Sequence, residues 1–507
     1  MNIYLVEIDA YDPDTSSVVT WRASTGQGFI DSATGNVYEP RLLKLPVFSR
    51  SIRSALLGGR SEVGYGEAQL ANGDHSLDGM RSDYFDGRTF TLLYGDHTWP
   101  RASFATVMSC KIQTVVPEGE TISVRLRDRS PELEKVFSTS TYGGTNALPL
   151  GVDGTADDIK GQYRPRIFGR IAHMSPVLVN TSKLIYECNS ATVDDLVNVF
   201  DAGAYLTRGS AYSSQSDMET TAPSAGTWRY WISSTGAYIR LGSSPFGSIT
   251  ACVAEKWAHT QISAAGILTR IFSALSWSAG TDYVSADLTT LDQLCCGPLG
   301  IQVEAGETIA SLIDRICQTV GAWWGWDSLS RFRVGRLEAP ASPVTTLTDT
   351  VLRGMQGQAS DDEIPWRIVI PADRNYAVQN KSNLAGIVQS NLARVAWFEA
   401  ETRDQKAEDA TVKTKHLTAT EQTHTGAFAA ISQAQAETTR RLSLLSSRRD
   451  GVTGTLEGWD SYSATLDLGT CVSVQSDQVG YATARDMVIV GTTIDYGENS
   501  ADLEFWG

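Results

Sequence analysis

Six histidines stand at positions 75, 97, 173, 259, 416 and 424, and hydrolytic or metal chemistry would need several of them in register. None falls in an H-E-x-x-H or any other metal-binding spacing, and His416 and His424 lie in a polar connector. No G-x-S-x-G elbow, P-loop or dinucleotide fingerprint occurs. GGTNALPLG and GYGEAQ contain glycines, but neither follows a strand and opens a helix, as a phosphate cradle would require. A glycosidase pair needs only two carboxylates and obeys no spacing rule, so the 58 acidic residues do not argue for one. Asp74, Asp78, Asp83 and Asp86 share a turn-rich loop that could offer oxygens to a hard cation. Without an EF-hand pattern they read as a solvated loop, as do Asp9, Asp12 and Asp14. No catalytic residue, metal ligand or cofactor is assigned.

Seven cysteines, at 110, 188, 252, 295, 296, 317 and 471, form no C-x-x-C pair, and neighbours Cys295 and Cys296 cannot readily bridge each other. They read as small buried hydrophobes, Cys317 within a helix and Cys188 at a strand end. Thirteen tryptophans raise the question of ring stacking on sugars. Trp324 and Trp326 share one strand face and Trp323 the other. After an amphipathic helix, they are expected to cover its apolar stripe. Trp228, Tyr230 and Trp231 follow a Ser/Thr/Gly-rich stretch, 206–227, that reads as a mobile loop, so these three are the candidate interface or recognition residues.

Strand signals dominate the first 130 or so residues: 2–9, 17–23, 45–53, 62–71, 88–95, 104–115 and 120–127. Short strands with frequent Gly and Asp turns predict a barrel or sandwich. A loop follows over 138–164, long enough to suggest a function or a covering partner. Thr192 as N-cap, with Val193, Leu196, Val197 and Phe200 behind it, predicts a helix. A second is expected over 262–275. A third is marked by Ile309, Leu312, Ile313, Ile316 and Val320 and ended by Gly321. GIQVEA, this helix, AWWGWD and RFRVGRL give a β-α-β-β order, with a fainter copy upstream in KLIYEC, the Val193 helix and AYLTRG. Strands return at IPWRIVIP (364–371) and ARVAWFE (393–399). A helix over 427–447 is expected to bury Phe428, Ile431, Leu442 and Leu445. Arg440, Arg441, Arg448 and Arg449 near its end suit a helix C-terminus better than a phosphate. Four strand-like segments close the chain.

At 507 residues the chain exceeds a single core and should form about three or four domains. No apolar run is long enough for a membrane span, and the acidic start, MNIYLVEIDAYD, reads as a strand and not a signal peptide. The formal charge of −16 argues against a surface that grips nucleic acid, yet it also suits a conduit that DNA must slide through without sticking.

The segment from Arg60 to Asp96, RSEVGYGEAQLANGDHSLDGMRSDYFDGRTFTLLYGD, resembles the N-terminal barrel of bacteriophage tail hub proteins, where a strand ending in LAN leads through an Asp-rich loop to an FDGR strand. TYGGTNALPLGVDGTADDIKGQYRPRIFGR is similar to the strap that follows that barrel. Leu466-Asp467-Leu468-Gly469 with Val472 and Val474 resembles the turn and strand closing the second barrel, and Leu503–Trp506 the family's exposed-edge last strand with its final aromatic. The resemblance implies an α+β, mostly β fold: two barrel-like antiparallel β domains with mixed α/β insertions between them. The divisions expected are 1–137 (first barrel), 138–190 (strap), 191–340 (α/β middle) and 341–507 (second barrel with the long helix). It also implies a structural, non-enzymatic baseplate hub in the virion of a long-tailed phage or gene-transfer-agent-like particle. The hub would be a homotrimeric ring, contacting distal tail, tape-measure and tip or fibre proteins and passing DNA without binding it specifically. Some tail-tip relatives carry an iron–sulfur cluster, but the cysteine spacing here lacks the clustering that would hold one. The rival readings are a glycan-cleaving cell-wall hydrolase and a tip that binds a host glycan or receptor.

Overall fold

A computed structural model describes residues 2–358, 364–478 and 480–507. The fold is α+β and mostly β. Near the N-terminus seven antiparallel strands run in the order Ser17–Ser24, Asn2–Asp12, Thr89–Asp96, Ala105–Glu118, Thr121–Arg127, Glu67–Ala71 and Leu42–Lys44. Bulges near Leu92 and Ile112 bend this sheet. Its two edges are linked across the gap, because Ser24 N donates to Glu39 O at 2.7 Å and Ala71 N to Arg41 O at 2.7 Å. Val6, Ile8, Phe90, Leu92, Met108 and Val124 fill the curl. The opposite face of the first strand, Ile3 and Leu5, packs on Phe29, Tyr38 and Phe104.

The second large sheet collects the last strands. Arg485–Asp495 lies between Cys471–Gln475 and Ser500–Trp506, and Gly451–Glu457 and Leu352–Gln358 follow beyond the latter. Ser500–Trp506 is therefore an interior strand with Trp506 buried, not the exposed edge expected from the resemblance. Paired along both edges, the final strand buries one face through its alternating Ala501, Leu503 and Phe505 and leaves Asp502 exposed on the other.

One short stretch ties the two sheets together. Val47–Ser51, which leaves the first curl, pairs with Gly491–Asp495 of the second sheet, and Glu62–Gly64 pairs with it in turn. Between them, Gly59–Arg60 runs parallel to Trp323–Trp324 and completes a small sheet with Phe332–Arg336. Residues 47–64 thus belong to the N-terminal segment by sequence and to two other units by hydrogen bonding.

The middle of the chain departs from the sequence reading in instructive ways. Asp195–Asp201 is a strand, paired with Ile249–Ala254, where a helix from Val193 is expected. A bulge between Leu196 and Asn198 puts an extra residue between buried Leu196 and buried Val199. Leu196 and Val199 face one core and Phe200 another, so the Leu196-to-Phe200 spacing that suggests a single helix face joins two faces of a bulged strand. The upstream copy of the β-α-β-β unit disappears with that helix. Leu392–Glu399 is a helix, not a strand: Asn391 caps it by accepting from Arg394 N at 3.2 Å, and Val395 and Phe398 are its buried side. The 206–227 stretch holds a strand, Thr207–Ala211, and a short helix, Gln215–Thr220, and is not the loop expected.

Helices at Ala264–Ala274 and Ile309–Val320 agree with expectation. Thr308 caps the latter through Ser311 N, and Gly321 ends it with φ of 68°. Its buried face meets Trp324 and Trp326 in one core, whereas Trp323 points into the core shared by the two large sheets. Gly300–Gln302, the first strand of that unit, pairs instead with Ile167–Met174 in another sheet.

Candidate functional site

The long helix is shorter than its pattern suggests, Ile431–Leu445, and it hides charge. Phe428 lies outside it and Ile431 is 43% exposed, while Glu437 and Arg441 are buried. Arg441 Nε donates to Glu437 Oε1 at 2.7 Å, and its Nη2 donates to the carbonyls of Gln318 (2.7 Å) and Thr319 (3.0 Å). The guanidinium therefore sits at the C-terminal end of the Ile309–Val320 helix, not at the end of its own. Helix-dipole logic is right in kind and applies to a neighbouring helix. Arg440 gives two further bonds to Glu437, at 2.8 and 2.9 Å. Burial pushes the Glu437 carboxyl up, but the hydrogen bond from Arg440 and the charges of Arg441 and Arg440 outweigh it and hold Glu437 below the usual carboxylate range.

A second charged group lies where the two large sheets and the tryptophan hairpin meet. Arg333 Nε and Nη2 bind Asp287 at 2.6 and 3.2 Å, and its Nη1 reaches Asp467 at 2.6 Å. Asp467 also accepts from Arg50, a residue 417 positions away. Burial raises the Asp467 carboxyl, and the Arg50 and Arg333 charges more than reverse this, leaving it below its ordinary value. Tyr4 Oη donates to Tyr496 O at 2.7 Å and Tyr496 Oη to Val107 O at 3.1 Å, so the two sheets are laced by neutral bonds as well.

A cleft of about 450 Å³ opens at this junction. Its wall includes Tyr4, Tyr94, Trp459, Asp460, Asp495 and Arg331. Arg331 binds Asp327 through Nε at 2.8 Å and Nη2 at 2.7 Å. The cations at the cleft are thus engaged by carboxylates, and no histidine, cysteine nucleophile or Ser–His pair lines it. The arrangement joins units and can receive a ligand.

The depressed carboxyl at the junction gives a pH prediction. A folded-state value below the unfolded one contributes stability that is full above about pH 4 and is lost as pH falls through the lowered value. Asp467→Asn should therefore lower the thermal midpoint at pH 6, and the gap from the unchanged protein should close progressively as pH falls below about 4. Parallel, undiminished curves across that range would contradict the role given to the charge.

The aromatic candidates are placed as follows. Trp228 is fully buried, with Nε1 donating to Leu206 O at 3.2 Å, which removes it as an exposed tip. Its strand, Thr227–Ile232, is flanked on both sides by Ala237–Leu241 and Thr207–Ala211. Tyr230 and Trp231 are half-buried, the latter stacked on Tyr238 at 5.5 Å. His173 is enclosed by Phe200, Trp397 and Phe398, and burial, with the charges of Arg403 and Arg394, lowers it to about 3. Burial likewise lowers His424 to about 4. Asp74 takes both Nη groups of Arg41, at 2.8 and 2.7 Å, and Asp86 takes Arg127 at 2.9 Å, so these carboxylates have protein partners in place of a cation. Among the described residues no cluster of three or more His, Cys, Asp or Glu is placed to hold a metal. None of their helices is long and apolar enough to cross a membrane.

No protein-family model and no curated protein matches the chain. Among solved structures, it is similar to the 43 kDa tail protein of prophage MuSo2 from Shewanella oneidensis, at 13% identity and a TM-score of 0.39, covering 100% of this chain and 98% of that one. The tail protein from Neisseria meningitidis MC58 shares 10% identity at a TM-score of 0.38, over 99% of this chain and 96% of that one. A chain of the virion of a native gene transfer agent particle shares 14% identity at a TM-score of 0.38, over 75% of this chain and 92% of that one. These three solved structures are two tail proteins and a gene-transfer-agent virion chain.

Proposed function

We propose that the protein is a structural hub of a phage-type tail, a homotrimer in the virion that joins the tail tube to the tip. The observation that carries the reading is the stitching of the two large sheets into one body by residues 47–64. Each copy then presents two β units side by side, and three copies would set six such units around an axis, a geometry able to meet six-fold layers on one side and a three-fold tip on the other. The order of the LAN/FDGR segment, the strap and the LG-x-x-V-x-V turn supports the same reading. Distal tail, tape-measure and tip or fibre proteins are the partners proposed, and DNA passes through without specific binding. The chain divides into 1–137, 138–190, 191–340 and 341–507, with residues 47–64 shared between units. Tyr230 and Trp231 are the partly exposed members of the proposed interface.

The hub reading expects no turnover by this chain. Incubated with purified peptidoglycan, it should release no soluble fragments above the buffer control; release abolished by changing one Asp or Glu would replace the hub with a hydrolase. Labelling intact particles with an antibody to the chain tests placement directly. Label at the tail tip is expected, and label on the head or its absence from particles would overturn the assignment.

A further inference from the structure

We propose that the cleft at the sheet junction is a binding site for a short, neutral carbohydrate. The hub reading does not require it, and the candidate aromatics on the Thr227–Ile232 strand are elsewhere. Clefts of this size between structural units are where ligands most often bind. The inference rests on which groups at the wall are already used and which are left over.

Tyr4 and Tyr94 lie side by side with ring centroids 4.8 Å apart, both half-buried. They give the cleft an aromatic wall, with Trp459 contributing beyond them. Asp460 spends Oδ1 on Ser461 N (2.9 Å) and Asn499 Nδ2 (3.0 Å). Asp495 spends Oδ1 on Gly497 N (2.8 Å) and Glu498 N (3.1 Å). Each carboxylate is fixed in place through one oxygen, and the other remains an acceptor. Arg331 uses Nε and Nη2 on Asp327, which leaves Nη1 as a donor.

The leftover set is therefore two acceptors and a donor beside aromatic faces. A bare anion would meet Asp460 and Asp495, and a bare cation would use those carboxylates but leave the tyrosine faces and the Arg331 Nη1 donor without a partner. A wholly apolar ligand would strip water from the two carboxylates without replacing it. A sugar meets all of these conditions. Its hydroxyls donate to the carboxylate oxygens and accept from the guanidinium, and its C–H face lies against the tyrosine rings.

The test uses the full chain and four probes: maltotriose, the trimer of N-acetylglucosamine, trilysine and inorganic phosphate. Saturation-transfer NMR and tryptophan fluorescence are the readouts. At least one neutral trisaccharide should receive saturation and change the fluorescence. Tyr94→Ala and Asp460→Asn should each weaken that binding by about tenfold, the scale of one aromatic contact or hydrogen bond. Thermal midpoints identify any variant that is merely unfolded, and Tyr94→Phe, which keeps the ring, should bind as the unchanged protein does. Binding of trilysine or phosphate in place of sugar, no response to either trisaccharide at millimolar concentration, or sugar binding indifferent to both variants would each overturn the proposal.

Discussion

Glu437→Ala is expected to destabilise the protein by about 3–5 kcal/mol, the range for removing one partner of a buried ion pair. Arg441 has no exposed side-chain surface, and Glu437 is the carboxylate that neutralises it. Without Glu437 the guanidinium keeps only neutral partners, the carbonyls of Gln318 and Thr319, which cannot offset the cost of a buried charge. Arg440 loses its two bonds at the same time, and Arg336, 3.5 Å from Glu437, loses a neighbour of opposite sign. Denaturant unfolding should show a lower midpoint with an unchanged slope. The double variant Glu437→Leu, Arg441→Met should lose much less, since the isolated charge goes with its partner. A loss under about 1 kcal/mol for Glu437→Ala would mean that water reaches Arg441 and the pair is not a buried one.

Ile313→Ala should cost about 2–5 kcal/mol. Ile313 is fully buried on the Ile309–Val320 helix, in the same core as Leu312, Ile316, Trp324 and Trp326. The indoles cannot collapse easily into the space left, because each is held at its nitrogen. Trp324 Nε1 donates to Asp314 Oδ1 at 2.7 Å and Trp326 Nε1 to Ser130 Oγ at 3.2 Å. A rigid roof favours the upper part of the range, since cost rises with the cavity that remains. A change of less than about 1 kcal/mol would show that the helix face is not packed under the hairpin.

The sequence was most informative where a single element carries its own signal. The Ile309–Val320 helix has its cap, stripe and terminal glycine in order, and the split of Trp323 from Trp324 and Trp326 follows from strand alternation alone. The strands of the first sheet are legible for the same reason. Local pattern misled where geometry changed its period. In Asp195–Asp201, Leu196 and Phe200 fall at helical spacing although they face different cores of a bulged strand, and the one-turn spacing of Val395 and Phe398 is hidden in ARVAWFE among residues with strand character. What no local pattern could reveal is partnership over distance. Arg50 reads as an ordinary strand residue and Asp467 as part of a turn, yet they meet across 417 positions. Nothing in Val47–Ser51 distinguishes a strand that stays in its own sheet from one that crosses to another. Arg441 reads as a cation at the end of its own helix because the carbonyls it serves belong to residues 318 and 319.

The central claim concerns assembly, and a cryo-EM reconstruction of the intact particle, without imposed symmetry at the tail tip, tests it most directly. Three copies of this chain should form a closed ring between tube and tip, with both large sheets of each copy arranged around the passage and the inner wall neutral or acidic so that DNA phosphate is not held. A single copy, a ring of six or a location away from the tail tip would contradict the hub. A trimer whose passage is lined mainly by Arg and Lys would leave the hub standing and contradict the account of how DNA passes through it.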